Sequence, residues 1–290
     1  MNNERRREFV KPGEIVDTRP TVVSFISGKG GTGKTVLAYN LVVIMAGMGY
    51  RCLLLDGDWY FGDVHILANV SPLYTLSDLI KGKVDVSEAV FRINSGLDLL
   101  ASPSCGATVG DIRPADFDKL FTDFPKLFGD YEFILIDTPS GGVEMVSRVA
   151  SMADINLIVI NPEWSSIADG YGLFKYLISR NKDFLAYIFL NKVRGQEDYE
   201  YIYQKFTVLS ERFLNRIPLG AGYLFDDQHV VDSVAKQKPI VEIYPGATAV
   251  EKLNRLSGLL VEVRKTELNR RKIMGQQDIN SKKLLADIRK

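Results

Sequence analysis

Short runs that are apolar at nearly every position alternate along this chain with longer segments whose apolar positions recur at helical spacing. The first kind comprises Thr21–Ser27, Arg51–Leu55, Leu97–Leu100, Phe133–Ile136, Ile155–Ile160 and Ala186–Leu190. Runs without polar alternation fit strands covered on both faces, as in parallel sheets. The second kind comprises Val36–Gly47, Leu76–Lys81, Pro114–Phe128, Ser166–Ser179, Tyr199–Leu214 and Ala247–Val263. Strand and helix in alternation predict an α/β fold, a parallel sheet with helices on both faces. No internal repeat or linker divides residues 21–263, which read as one domain. Residues 1–20 are polar, with Glu4-Arg5-Arg6-Arg7-Glu8 near the front, and read as a flexible arm. An interaction tail and an inert solvated tail both fit that arm.

The pattern changes after Val263. Residues 264–290 are charge-rich and broken at Gly275-Gln276-Gln277. Leu284, Leu285 and Ile288 share a helical face, with Ile279 off that stripe and Lys282, Lys283, Arg289 and Lys290 around them. An amphipathic segment for an anionic membrane fits this pattern. A solvated tail fits too, and Asp278 and Asp287 favour it.

Composition narrows the classes. The 290 residues carry 36 basic and 36 acidic side chains, so no global charge draws the chain to nucleic acid or lipid. Two cysteines, Cys52 and Cys105, make no disulfide framework, and two histidines make a zinc site improbable. No apolar run reaches the length of a membrane span, and the charged N-terminus has no signal-peptide core. A cytoplasmic protein, at most peripheral on the inner face of the membrane, is expected.

The chemistry begins at Gly28-Lys29-Gly30-Gly31-Thr32-Gly33-Lys34-Thr35, which follows a strand and opens a helix. The spacing G-x-x-x-x-G-K-T is a Walker A loop, and the fold class becomes a parallel-sheet P-loop NTPase. Glycines let backbone N–H groups curl around phosphate, and the helix N-terminus adds partial positive charge. Lys34 should reach the β- and γ-phosphates and Thr35 should ligate Mg²⁺. Two strands end in acids: one at Asp56-Gly57-Asp58, the other at Asp137-Thr138-Pro139-Ser140-Gly141-Gly142. Strand carboxyl ends face the ligand in such sheets. Asp137 is the Walker B candidate for Mg²⁺, Asp56 supports the metal side, and Asp58 is the candidate for orienting the attacking water. Asn191 follows another strand, and its amide can read an adenine edge. The aspartate that would read guanine is replaced by Arg194, which favours ATP over GTP.

Lysine at the second position of the loop, here Lys29, resembles the deviant Walker A of the MinD/ParA family of ATPases. The stretches LLLDGDWYFGDVHILANV, ILIDTPSGG, VINPEWSSIADGYGLFKYL and LNKVRG are similar to its stations, over residues 21–263. VVDSVAKQKPIVEIYPGATA is similar to the MinD-like regulators of flagellar number. The resemblance implies an ATP-dependent homodimer in which Lys29 contacts phosphates held by the partner, as an arginine finger would. It implies Lys34 and Thr35 on phosphate and Mg²⁺, Asp58 in a first switch, and Asp137, Pro139 and Gly141 in a second. It puts Asn191 on adenine, Pro162 and Glu163 near the nucleotide and the dimer interface, and Pro218 in the "IP" turn beside the base. The chain departs there, reading IPLGAGYLFDDQHV, and which residues of 220–230 meet adenine is open. Trp59-Tyr60-Phe61 fits both a partner surface and core packing. The resemblance implies an ATPase switch for flagellar number or placement, with a flagellar GTPase as one partner. The arm lacks the glutamine-containing motif that would activate such a GTPase. A partition ATPase on nonspecific DNA, a MinD-type division-site regulator and a non-hydrolysing scaffold are the alternatives; no specific nucleic acid is expected.

Overall fold

The computed structural model describes residues 19–58, 61–104, 129–139, 142–182 and 184–288, with the side chains of the last helix through Arg270. The helix expected over 114–128 lies outside the described residues, as do Cys105, Trp59, Tyr60, Ser140 and Gly141.

Among the described residues eight strands form one sheet: β1 (Thr21–Ile26), β2 (Cys52–Asp56), β3 (Phe91–Arg92), β4 (Leu97–Leu100), β5 (Phe133–Asp137), β6 (Ile155–Ile160), β7 (Ala186–Val193) and β8 (Leu219–Phe225). Their order is β3-β4-β2-β5-β1-β6-β7-β8, and every pair is parallel except β3 with β4. The uninterrupted apolar runs thus become strands buried on both faces, five of them at every position.

The helices are α1 (Lys34–Gly47), α2 (Val64–Leu67), α3 (Leu76–Ile80), α4 (Val86–Ala89), α5 (Val143–Met152), α6 (Trp164–Arg180), α7 (Gln196–Leu214), α8 (Gln228–Ala235), α9 (Ile240–Ile243) and α10 (Thr248–Ile288). On one face α1 and α10 pack Leu41, Met45, Leu253, Leu256 and Leu260 against Val23, Phe25, Leu135 and Leu157. On the other, α5, α6 and α7 pack Val146, Phe174, Leu177 and Phe206 against Ile158, Ile160 and Ile188. A third cluster joins Leu53, Leu55, Ile134 and Ile136 to Leu76 of α3. Burial of apolar surface in this two-sided core stabilises the fold at roughly 25 cal/mol per Å² removed from water.

Two expectations shift. The strand read as Ala186–Leu190 continues to Val193, so Asn191 is on the strand. The helix read to Val263 continues as backbone helix through Gly275-Gln276-Gln277 to Ile288. Nothing marks a boundary at 263, because Arg264 is buried and donates to Thr21 Oγ1 (2.8 Å) and Glu132 O (2.6 Å). One glycine in a long helix costs only about 1 kcal/mol, too little to end it.

Candidate functional site

Register brings the acids together. Asp56 at the end of β2 lies directly beside Asp137 at the end of β5, and Asp137 pairs in turn with Phe25 of β1. The phosphate loop leaves β1 at this same edge. Gly31 and Gly33 hold φ of 75° and 88°, a region that favours glycine. Gly30 and Gly31 form the exposed tip and Thr32 is buried beneath it. Gly28 meets α6 so closely that a Cβ there would lie 2.3 Å from Asp169 O. The sheet edge holds the loop carbonyls: Asn191 Nδ2 donates to Thr32 O (2.8 Å), while Asn161 Nδ2 and Lys192 Nζ reach Gly31 O, each at 3.5 Å.

Lys34 is buried at the start of α1 and donates to Ser27 Oγ at 2.8 Å. Burial lowers its pKa, against the pull of Asp137, Asp58 and Asp63. Thr35 Oγ1 donates to Asp137 Oδ2 at 2.6 Å, and Asp137 Oδ1 is buried without a partner. Burial pushes Asp137 up to about 7, while the Thr35 hydroxyl and Lys34 hold it down. A hydroxyl, a carboxylate with an orphaned oxygen and an ammonium in one niche fit a phosphate-bound Mg²⁺, which takes few protein ligands and keeps the rest as water and phosphate. Among the described residues no three acidic, imidazole or thiol groups form a metal cage by themselves.

Asp56, expected to support the metal side, lies next to Asp137. It is fully buried, and its oxygens accept from Asp58 N–H (3.1 Å) and Val64 N–H (3.3 Å). It thereby ties the backbone at Asp58 and Val64 to the end of β2. Burial and then Asp137 push its pKa well up, against those backbone donors. Asp58 accepts from Phe61 N–H (3.2 Å), and its charge is felt by Lys34 and Asp137. A fourth acid that motif reading missed, Asp63, lies on the same loop and acts on the same groups; its only sequence signal is its distance from Asp58.

Lys29 faces away from this niche. Its Nζ donates to Glu163 Oε2 (2.8 Å) and Ser165 Oγ (2.9 Å) where α6 begins, after the turn containing Pro162. That contact holds the Glu163 carboxyl below its usual range. Trp164, beside the pair, is 71% exposed.

Pro218 is a correction. It precedes β8 and so stands at the amino-terminal edge of the sheet, in a cleft with Lys182, Phe184 and Arg216, across the sheet from the phosphate loop. The base-sized cleft beside the loop, about 220 Å³, is bordered by Gly33, Val36, Asn191, Phe225, Asp226 and Val230. Asn191 borders it with both polar atoms engaged, since Oδ1 accepts from Lys192 N–H at 3.0 Å. Asp227 caps α8 by accepting from His229 N–H (2.9 Å). The apolar wall joins Phe225 at the end of β8, a strand absent from the sequence reading, to Val230 of α8.

The raised pKa of Asp137 has a measurable sign. The folded chain holds this proton up to about pH 7 and the unfolded chain loses it near ~3.9, so ionisation removes stability as pH rises through that window. Asp137→Asn, which carries no charge, is expected to melt higher than the parent at pH 8 without nucleotide or metal, by at least about 3 °C. The gap should narrow by pH 5 and close only below about pH 4; a gap independent of pH contradicts the assignment.

The sequence pattern of the CobQ/CobB/MinD/ParA nucleotide binding domain matches residues 23–240. The antiactivator FleN of Pseudomonas aeruginosa is 27% identical over 230 residues, covering 79% of this chain and 81% of FleN. The flagellum site-determining protein YlxH of Helicobacter pylori is 23% identical, covering 90% of this chain and 91% of its own. The Mg-ADP complex of the septum site-determining protein MinD from Pyrococcus horikoshii superposes with a TM-score of 0.69 at 24% identity, over 82% of this chain and 94% of that one.

Proposed function

Because the chain belongs to the CobQ/CobB/MinD/ParA nucleotide-binding family, we propose that it is an ATP-hydrolysing switch that dimerises on ATP and governs the number or placement of flagella. One observation carries the dimer: Lys29, in the phosphate loop, is turned onto Glu163 and Ser165, while Lys34 alone serves the loop's own niche. A second lysine beside a phosphate loop gains a task if it reaches phosphates held by another copy. The similarity to FleN and YlxH supports the flagellar assignment.

In this reading Lys34 and the loop N–H groups hold the β- and γ-phosphates, and Thr35 and Asp137 hold Mg²⁺, which neutralises charge on the phosphate oxygens. Asp58 orients a water whose oxygen attacks the γ-phosphorus. The bond from that phosphorus to the β–γ bridging oxygen breaks, ADP leaves with the bridging oxygen, and the water proton passes by way of Asp58 to the phosphate released. Lys29 of the second copy stabilises the charge that gathers on the transferring group. Asn191 holds the loop at the base cleft, where Phe225 and Val230 offer apolar contact to adenine.

Light scattering with ATP tests this on Asp58→Ala, in which turnover is blocked: a dimer is expected with ATP and a monomer with ADP. A monomer in both overturns the switch. Addition of anionic liposomes tests the tail. The full chain should pellet with ATP and remain in solution with ADP, and a chain ending at Arg270 should not pellet. Two weak anchors in one dimer bind together through effective concentration, with gains of roughly 10² or more. Equal pelleting with and without residues 271–290 places membrane attachment elsewhere.

A further inference from the structure

We propose that Ser27 is a positioning residue for Lys29: its hydroxyl pins the Lys29 carbonyl and so keeps the Lys29 side chain turned out of its own loop, toward the phosphates of a second copy. This role rests on the ATP dimer proposed above. Ser27 directly follows β1 and is only 2% exposed. Its Oγ donates to Lys29 O at 2.7 Å and accepts from Lys34 Nζ at 2.8 Å. One hydroxyl thus touches both lysines of the loop, one through its backbone and the other through its ammonium.

A serine hydroxyl has one proton to donate and lone pairs to offer. An ammonium only donates, so the Lys34 contact takes a lone pair and leaves the Ser27 proton for Lys29 O. Gly28, between Ser27 and Lys29, is pressed on α6, where a Cβ would collide with Asp169 O. Lys29 is then held at two ends, at its carbonyl by Ser27 and at its Nζ by Glu163 (2.8 Å) and Ser165 (2.9 Å). The two holds differ. Lys29 and Glu163 are both exposed, and exposed ion pairs hold weakly, so that end can open when a second copy offers phosphate. The Ser27 end need not open when Lys34 turns to its own nucleotide, because Lys34 gives up only a lone pair. With its carbonyl held, Lys29 keeps the backbone direction that sends its side chain away from the niche. Without the hydroxyl that carbonyl loses this donor, and Lys29 can turn about its backbone and carry Nζ back over its own loop.

The test uses the full chain. Ser27→Ala removes the hydroxyl and leaves both lysines in place. It should bind a fluorescent, non-hydrolysable ATP analogue with Mg²⁺ within about tenfold of the parent, because phosphate takes Lys34 from Ser27 in the parent too. It should release phosphate from ATP at least about tenfold more slowly, the scale of a misplaced reacting group. Mixing with Asp58→Ala locates the fault. In the mixed dimer the Ser27→Ala copy keeps Asp58 at its own nucleotide and receives a well-placed Lys29 from the Asp58→Ala copy. Phosphate release above the sum of the two separate chains, with mixed dimers present by light scattering, is the expected result. Unchanged turnover in Ser27→Ala overturns the proposal. So does slow turnover without recovery on mixing, the mark of a fault at the copy's own nucleotide. Binding weakened beyond that range overturns it as well, the mark of a damaged fold or of a hydroxyl that serves Lys34. Lys29→Ala mixed with Asp58→Ala runs beside it. Recovery there but not for Ser27→Ala leaves the dimer standing and removes Ser27 from this role. Recovery in neither mixture overturns the action of Lys29 across the dimer and this inference with it.

Discussion

Lys29→Ala is expected to bind ATP within a few-fold of the parent and to hydrolyse it at least ~10³ times more slowly, the usual scale for a charge supplied to a phosphoryl transition state from outside the site. Binding should survive because the loop N–H groups, Lys34 and the Thr35–Asp137 pair are untouched by the change. Turnover should fail because Lys34 serves the nucleotide of its own copy, and without Lys29 the loop of the second copy supplies no charge to the transferring group. Mixing separates action across the dimer from action within one copy. Neither Lys29→Ala nor Asp58→Ala should turn over alone. In the mixed dimer, the Lys29→Ala copy has an intact Asp58 and receives Lys29 from the Asp58→Ala copy. Recovery of phosphate release on mixing is the expected result. No recovery, with dimers present by light scattering, would mean that Lys29 works on its own nucleotide after leaving Glu163.

The legible parts of this site were those whose residue types are forced by local chemistry. A strand that must be buried on both faces has to be apolar throughout, so β2 and β5 announced themselves, and the acids that ended them had to share an edge. The glycines announced the loop because Gly31 and Gly33 hold positive φ. Sequence could not tell that neighbouring acids divide the labour. Asp56 and Asp137 stand side by side, yet backbone N–H groups occupy the oxygens of Asp56 and leave one oxygen of Asp137 bare. That difference comes from where Asp58 and Val64 place their backbone N–H groups, which no residue pattern encodes. β8 was hidden for another reason. It is an edge strand with Gly220 and Gly222 in it, Gly222 at φ 108°, and its pairing with β7 shifts register twice. Without that strand Pro218 matched a dipeptide and was set beside the base, although it stands a full strand length away at the opposite edge. α5 carried a readable spacing at Val146, Val149 and Ala150, but short helices with polar neighbours resemble loops.

Arg264→Ala is expected to lower the melting temperature by about 5–10 °C, given that 2–4 kcal/mol is typical for losing a buried, hydrogen-bonded charge and that each kcal/mol is worth about 2–4 °C in a chain of this size. Arg264 is only 9% exposed, and its guanidinium donates to Thr21 Oγ1 and to the Glu132 carbonyl and lies over the Phe133 ring at 5.2 Å. Alanine leaves that carbonyl without this donor and opens a gap between α10 and the starts of β1 and β5. Lysine should recover part of the loss, since it keeps the charge without the planar fork. Lys265→Ala is the control: that side chain is exposed and paired only along the helix with Glu262, so a change under about 0.5 kcal/mol is expected. The comparison also fixes where the body ends. Ending the chain at Val263 removes Arg264 and should cost as much as Arg264→Ala, whereas ending it at Arg270 should leave the melting temperature near that of the full chain. If Arg264→Ala melts with the parent, the first turns past Val263 contribute nothing to the body. If it melts low, α10 is anchored at the amino-terminal edge of the sheet, away from the nucleotide. The segment beyond Arg270 then leaves the body at that edge, and ATP can govern it only through the dimer.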